Sequence, residues 1–510
     1  MLVIYIGIVV TTPFILGGYS KVLGVVHINL TDTKKIKEEI YATNISNHKQ
    51  ISQIIGAVNN LLYSYVLIAL LLALGTYFSI KTGFIQVRYV GEMFRLLGGK
   101  NSKTKNGISS FQAFCISIAS CVGTGNLAGV AIAIVIGGPG AVFWMWLIAL
   151  IGMCSSLVEC TLAQIYKIKD GDHFRGGPAY YMEKALNKRW MGVVFSILIS
   201  ITYGLVFNSV QSNTLASAFH KAFGFDQLYV GIVLAIVTAV IIFGGIKRIA
   251  HVAEVLVPVM AVAYILVALF IVIKNITMIP SILSLIFSSA FGFKPVAGGL
   301  FGAVIMQGIK RGLFSNEAGM GSAPNAAATS DVSHPVKQGL VQALGVFTDT
   351  VIICSCTAFI ILISGGYTSE NAIGIQLTQD AVVSQVGSWG SIFIAACILF
   401  FAFSSVIGNY YYGETNIEFI KANKNWLTVY RVAVVMMVLY GCITDLPFVW
   451  NLADLFMGLM ATMNLLTIAV LAKFAFAAIK DYEKQRKAGK DPVFKASSIP
   501  GLKNTECWDD

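Results

Sequence analysis

The chain alternates long apolar runs with short polar loops. The runs lie near 58–80, 109–135, 140–166, 190–209, 228–246, 252–273, 297–330, 337–364, 388–412, 427–443 and 450–476, each too long for a strand. A bilayer core is crossed by about 20 apolar residues of helix, so the pattern predicts an all-α polytopic membrane protein with eleven transmembrane helices. A further apolar run at 2–20 has no clear basic lead or small-residue cleavage site, and reads as an extra span or an over-extended start. Residues 21–57 are polar and mixed in charge, as in a linker.

Two runs interrupt their own pattern. Val122-Gly123-Thr124-Gly125-Asn126 falls in the middle of the run at 109–135. Exposed backbone polar groups at that depth are tolerated only inside protein or against a water-filled cavity. The stretch is therefore a packing notch or the wall of a binding site. The run at 297–330 holds Lys310, Arg311, Glu317, four glycines and Pro324 between Gln307 and Asn325. It cannot be a continuous helix facing lipid.

The two breaks organise the chain. Spans two to six and spans seven to eleven form groups of five, each opening with its broken helix. An odd number per group starts the second from the opposite side of the membrane. That is an inverted repeat, and interrupted segments at corresponding positions point to a transporter's binding site. The expected organisation is an N-terminal segment and linker (1–57), an accessory helix (58–80), a cytoplasmic loop (81–108), two five-helix repeats (109–276 and 277–476) and a cytoplasmic tail (477–510). No internal sequence identity is visible, so the repeat rests on span order and break position.

Composition sharpens this picture. Of 510 residues, 56% are hydrophobic and 12% charged, where a soluble domain has about 25% charged. Mean hydropathy is +0.75. The net charge of +11 falls in short loops, so the positive-inside rule explains it and nucleic acid is not implied. Lys and Arg crowd the loops 81–108 and 167–189, then Lys247 and Arg248, Lys337, the segment around Lys421 and Lys424, and the tail. The intervening loops carry Lys221, Lys274 and Lys294. The alternation predicts a cytoplasmic C-terminus in a multi-pass protein of the cell membrane. Lys34, Lys35 and Lys37 conflict with the external placement this gives residues before 58.

Nine cysteines are scattered, mostly in apolar runs, without the loop spacing of disulfides or zinc sites. Six histidines are dispersed, and the sequence has no HExxH or phosphate-binding GK[ST] motif. Neither a metal enzyme nor an ATP-driven pump is indicated. A channel would want a continuous polar or carbonyl-lined pore, whereas one pair of breaks argues for alternating access.

Four segments carry a family resemblance: GTGNLAGVAIAIVIGGPGAVFWMW (123–146), RGGPAYYM (175–182), KRGLFSNEAGMGSAPNAAATS (310–330) and FAFSSVIGNYYYGETN (401–416). They resemble the alanine-or-glycine:cation symporter family, over about residues 52–480. The resemblance implies a LeuT-type five-plus-five core behind one accessory helix, with sodium-coupled uptake of a small neutral amino acid (alanine or glycine, or glutamine) and no organic cofactor; the alternative is a proton-coupled or differently selective amino-acid transporter. The expected partners are the amino acid, sodium and the bilayer. The oligomeric state is not indicated.

Candidate site residues follow. A substrate carboxylate suits the exposed N–H groups of Thr124 and Gly125, with the Thr124 hydroxyl and the Asn126 amide adding contacts. The bland alternative is close helix packing by small residues. The resemblance implies a sodium site of the Ser404 and Ser405 hydroxyls with the carbonyls of Ala119 and Val122. The alternative there is two serines bonding back to their own helix. Free carbonyls around Asn316, Ala318 and Gly319 suit a substrate ammonium group. Glu317 either adds charge or pairs with Lys310 or Arg311 to hold the broken helix, and the pairing is favoured. Glu159, Asp349, Glu414 and Asp454 are functional candidates by default, with structural roles favoured for those near helix ends; Asp349 is the most deeply placed. Asn409 stands where many members of the family have Trp. Being one turn beyond Ser405, it would border the side-chain pocket and favour a larger polar substrate such as glutamine; the alternative is a family subgroup in which this position does not touch substrate.

Overall fold

The computed structural model describes residues 50–98, 107–171, 173–243, 246–292, 301–368 and 374–508. The apolar run at 2–20 and the linker up to residue 49 lie outside them. The chain divides into two units, Met1–Val58 and Asn59–Asp510. Of the first, only a helical stretch at 50–58 is described.

Among the described residues, the main helices begin with α1 (Gln50–Lys81), the short α2 (Val90–Gly98), α3 (Ser110–Cys121), α4 (Gly125–Gly137) and α5 (Ala141–Ile165). A small antiparallel hairpin, β1 (Ile168–Asp170) and β2 (His173–Arg175), leads to α6 (Pro178–Lys184). Then come α7 (Arg189–Phe223), α8 (Gln227–Ile242), α9 (Ile246–Lys274) and α10 (Ile279–Ala290). They are followed by α11 (Phe301–Asn316), α12 (Ala323–Ala327), α13 (Pro335–Ser364) and α14 (Ile375–Val386). The last three are α15 (Trp389–Ile420), α16 (Lys424–Ile443) and α17 (Leu446–Lys487).

Among the described residues, seven helices are long and apolar enough to cross a membrane, and nine if each of two bent pairs counts as one span. The bent pairs are α3 with α4, at 49°, and the end of α9 with α10, at 76°. Helix α8 is shorter and α11–α12 is interrupted, so neither passes on length and apolarity alone. The molecule is a largely helical polytopic membrane protein.

Two helices outrun their apolar runs, each for its own reason. Helix α7 continues to Phe223, past the apolar stretch ending near 209, because Gln211, Ser212, Asn213 and Thr214 are buried against protein. Asn213, for example, donates to the carbonyls of Gly441 and Thr444. Hydropathy measures lipid-facing character, so it loses a helix whose polar face is turned inward. Helix α17 runs on beyond 476 as a polar extension with Lys484, Arg486 and Lys487 in its last turn, where cations suit the helix C-terminus.

Helix α5 packs along α13, α11 and α1, while α7 lies against α15 and α16. Helices α3 and α15 come close enough that a Cβ on Gly408 would stand 3.0 Å from the Ser120 nitrogen. Helix α2 is fastened to the end of α17: Tyr482 and Arg486 both bond Glu92, at 2.7 and 3.0 Å. The hydrogen bond from Arg95 holds the Glu92 carboxyl down at about 2.

Candidate functional site

A reciprocal capping box, Ser109 with Gln112, starts α3. The helix ends at Cys121, and Val122 leaves the helical region with φ −76 and ψ 97. The glycines at this break are set by close approach. A Cβ on Gly123 would lie 2.4 Å from Ser405 Oγ, and one on Gly125 would lie 3.0 Å from the Phe314 ring. The chain re-enters helix through a wide π turn, Gly125–Gly129.

The polar groups of the break are engaged in specific ways. Gly123 N–H donates to Asn126 Oδ1 at 2.9 Å, and Thr124 N–H donates to Gln211 Oε1 at 2.9 Å. The Asn126 amide donates to Asp349 Oδ1 at 2.7 Å. The Thr124 hydroxyl is fully buried and has no hydrogen-bond partner among the described residues. The glycines admit neighbouring helices at close approach, as the packing-notch reading expects, and the Thr124 hydroxyl stays unpaired among the described residues.

Ser404 and Ser405 stand beside this break. Ser404 Oγ is 3.5 Å from the Ala119 carbonyl oxygen, and Ser405 Oγ is 3.3 Å from that of Val122. Both hydroxyls also reach the Phe401 carbonyl on their own helix, at 2.9 and 3.0 Å. Back-bonding to α15 orients the hydroxyls, and the same oxygens face the carbonyls of α3.

At the second break, α11 ends at Asn316, and Glu317, Gly319 and Gly321 all take positive φ (58, 82 and 83). Only glycine takes that conformation freely, so Glu317 is held there by its surroundings. Glu159 on α5 accepts the N–H groups of Gly319 and Gly321 at 3.0 and 3.1 Å, and Asn464 binds the same carboxylate at 2.7 Å. Asn464 also takes the Gly319 carbonyl at 2.9 Å, so that expected acceptor is already used. Ala318 N–H donates to the Asn316 side chain, whose amide donates to Thr350. Asp349 ties the two breaks together: besides Asn126 it accepts from Ser315 at 2.6 Å and from Thr350 at 2.9 Å.

One expectation is corrected. Lys310 and Arg311 do not pair with Glu317. Both turn to Asp454 on α17, Arg311 with two bonds of 2.9 and 2.7 Å and Lys310 at 3.3 Å. They lie one to two turns before Glu317 on a helix that stops at Asn316, and the left-handed backbone at Glu317 sends its side chain elsewhere. Glu317 Oε2 accepts from Ser322 at 2.6 Å, and its Oε1 lies 3.0 Å from Ser120 Oγ. Ser120 Oγ is also 2.8 Å from Asn409 Oδ1, and the Asn409 amide donates to Asn208 at 3.1 Å. Asn409 is thus fully buried at the centre of a polar chain joining α3, α7, α15 and the second break.

Sequence reading missed Gln211, Ser120, Asn208 and the clasp made by Glu159 with Asn464. It also missed an aromatic row beside the first break: Phe207 and Phe314 have ring centroids 4.6 Å apart, and so do Phe314 and Trp450. The signal available was the polar cluster Asn208-Ser209-Val210-Gln211-Ser212-Asn213, too polar to face lipid.

Apolar spans, two interrupted helices and a buried polar junction between them define a multi-pass membrane transporter. The chain belongs to the sodium:alanine symporter family, whose model matches residues 48–496. That family is one of transporters, not enzymes. The probable sodium/glutamine symporter GlnT of Bacillus subtilis (strain 168) is 58% identical over 459 residues, covering 90% of this chain and 96% of the relative. The amino-acid carrier protein AlsT of the same organism is 57% identical over 459 residues, covering 90% and 98%. Among solved structures, a manganese transporter of Eremococcus coleocola matches with TM-score 0.50 at 11% identity, covering 75% of this chain and 88% of that one. That likeness speaks for the fold alone.

Proposed function

We propose that this protein is a sodium-coupled symporter that imports a neutral amino acid by alternating access. The observation that carries the reading is the meeting of Ser404 and Ser405 with the Ala119 and Val122 carbonyls at the first break. Hydroxyls and carbonyls without a full charge suit a weakly held coupling ion. Sodium there would order the break, which would then present the Thr124 hydroxyl and the Gly125 backbone to the substrate carboxylate, the Thr124 N–H being taken by Gln211. The unpartnered Thr124 hydroxyl supports this, and the backbone around Asn316 and Ala318 on the second break would meet the ammonium group. Asn126 and Gly319 would act through the geometry they hold, and Lys310, Arg311 and Asp349 through the packing of the broken helices.

In the finer reading, α8 and the interrupted α11–α12 also cross the membrane, giving eleven spans: an accessory helix (58–80) and two inverted five-helix repeats of LeuT type (109–276 and 277–476). The C-terminus would be cytoplasmic. Alanine, glycine and glutamine are the candidate substrates. A buried amide at Asn409 and the likeness to GlnT favour glutamine. Uptake of the three labelled amino acids into proteoliposomes, with and without a sodium gradient, tests the proposal. Sodium-driven accumulation is expected. Passive flux at channel rates, or uptake indifferent to sodium, overturns it.

A further inference from the structure

Hydrogen atoms can be counted along the buried chain that runs from α7 to the second break. Its far end is fixed by the Gly204 carbonyl, which can only accept. The Asn208 amide nitrogen donates to it at 3.1 Å. Asn208 therefore turns its oxygen to Asn409, whose amide nitrogen donates at 3.1 Å. Asn409 in turn presents its oxygen to Ser120, 2.8 Å away. Reversing Asn208 would set its oxygen against the Gly204 carbonyl, and reversing Asn409 alone would set its oxygen against that of Asn208. The direction of the chain thus follows from the carbonyl and not from a choice of amide orientation.

Ser120 must then give its single hydroxyl hydrogen to Asn409. Yet Ser120 Oγ also lies 3.0 Å from Glu317 Oε1. Two oxygens at that distance without a hydrogen between them would repel. An ionised carboxylate accepts only, so the missing hydrogen belongs on Glu317. Its other oxygen, Oε2, is already served by Ser322.

The surroundings agree. The titratable groups facing Glu317 are Cys121 on α3, Glu159 on α5, Tyr203 on α7, Asp349 on α13 and Tyr412 on α15. None is a cation, and the nearby Lys310 and Arg311 are bound to Asp454. Glu159 and Asp349 each have three donors from neighbouring groups. Glu317 has Ser322 and a hydroxyl already committed to Asn409. All three are buried carboxyls without a paired cation, and Glu317 is the one whose Ser120 donor is shared with the Asn409 oxygen.

We propose that Glu317 is a proton-binding site: in this closed arrangement its carboxyl donates to Ser120, and opening of the two breaks is linked to release of that proton. With the proton, Glu317, Ser120 and Asn409 join the second break, α3 and α15 in one continuous chain. Without it, Glu317 and Asn409 compete for one hydrogen, and one of the two contacts is lost. Rising pH therefore favours separation of the breaks. The consequence for transport rests on the symporter reading above, whereas the protonation itself does not.

Two measurements test it. In proteoliposomes, the sodium-driven uptake rate of the wild-type protein is expected to change with pH. Glu317→Gln carries a permanent N–H toward Ser120, and its profile is expected to be flat. A Glu317→Gln profile that follows the wild type overturns the proposal. Infrared spectroscopy of the purified protein reads the site without transport: a neutral carboxyl band should vanish as pH rises and be missing in Glu317→Gln. A band that persists unchanged in that variant overturns the assignment even if uptake behaves as expected. If Glu317→Gln does not fold, Ser120→Ala removes the acceptor and must shift the same band, so an unshifted band is equally fatal. Absence of any sodium-driven uptake together with a band lost in Glu317→Gln would sink the symporter reading and leave the proton site standing.

Discussion

Ser405 has one hydroxyl hydrogen and two carbonyls to give it to, Phe401 on its own helix and Val122 on the break. A cation at the break would let the hydrogen stay on Phe401 while the oxygen faces the ion. Ser405→Ala should then raise the sodium concentration for half-maximal uptake by roughly tenfold, or about 1.4 kcal/mol, with little change in substrate preference. Sodium activation curves measured side by side with wild type decide it, and superimposable curves would remove Ser405 from the site. Asn409 poses the complementary question. Replacing its amide with an indole removes hydrogen-bonding capacity and fills volume, so Asn409→Trp is expected to favour alanine or glycine over glutamine in competition uptake. An unchanged substrate profile would place Asn409 outside the pocket. Asp454, unlike Glu159, Glu317 and Asp349, is paired with cations, Arg311 and Lys310. Asp454→Asn strips Arg311 and Lys310 of their buried partner, which should cost about 3–5 kcal/mol in a denaturation experiment on the purified protein.

At the scale of elements, the two breaks were legible because glycine, proline and charge in an apolar run are conspicuous at once. The pairing of Ser404 and Ser405 with the first break came from the family resemblance, and the distances agree with it. The partner of Glu317 was not legible. Sequence proximity pointed to Lys310 and Arg311, but positive φ at Glu317 redirected the chain, and backbone handedness at a non-glycine residue leaves no mark in the sequence. The extent of α7 was hidden likewise, since its second half is polar on the face it buries. The clasp at the second break shows what holds such an interruption inside a membrane. Glu159 takes two backbone N–H groups that no helix satisfies. Glu159→Gln leaves an oxygen for one N–H and points an amide nitrogen at the other. Each unmade buried bond costs about 1–3 kcal/mol, so the variant should show a lowered Tm. Sodium affinity should suffer less than maximal uptake. A variant with wild-type Tm would mean that the second break is held by packing alone.

Across the whole molecule, the two broken helices are joined at their far ends as well as at their centres. Ile108, just before α3, pairs with the strand-like segment at Ser330, just after α12. The polypeptide beyond α17 then returns over this junction. Phe494 N–H donates to the Ser333 carbonyl at 2.9 Å, and Trp508 Nε1 donates to the Gln164 carbonyl at 2.9 Å. Lys167 is enclosed between the rings of Phe174 and Trp508, at 4.1 and 5.0 Å, and donates to the Ser330 carbonyl. Burial pushes its pKa down to about 8. His334, which caps α13 through Val336 N–H, is enclosed by Tyr482 and Phe494, and burial lowers it to about 4. A histidine whose folded pKa lies below the unfolded value of about 6.5 makes the folded form bind fewer protons. Its contribution is present above pH 6.5 or so and is lost as pH falls toward 4. The strap should therefore loosen on acidification, the opposite sign to the proton held at Glu317. Trp508→Ala should loosen it at neutral pH by about 3 kcal/mol, and removing residues 488–508 takes it away altogether. Hydrogen exchange would then quicken at 327–334 and 164–167 while the centres of α5 and α13 stay protected. If exchange at 327–334 is the same with and without the strap, the junction at Ile108 and Ser330 is sufficient to hold the far ends of the broken helices by itself.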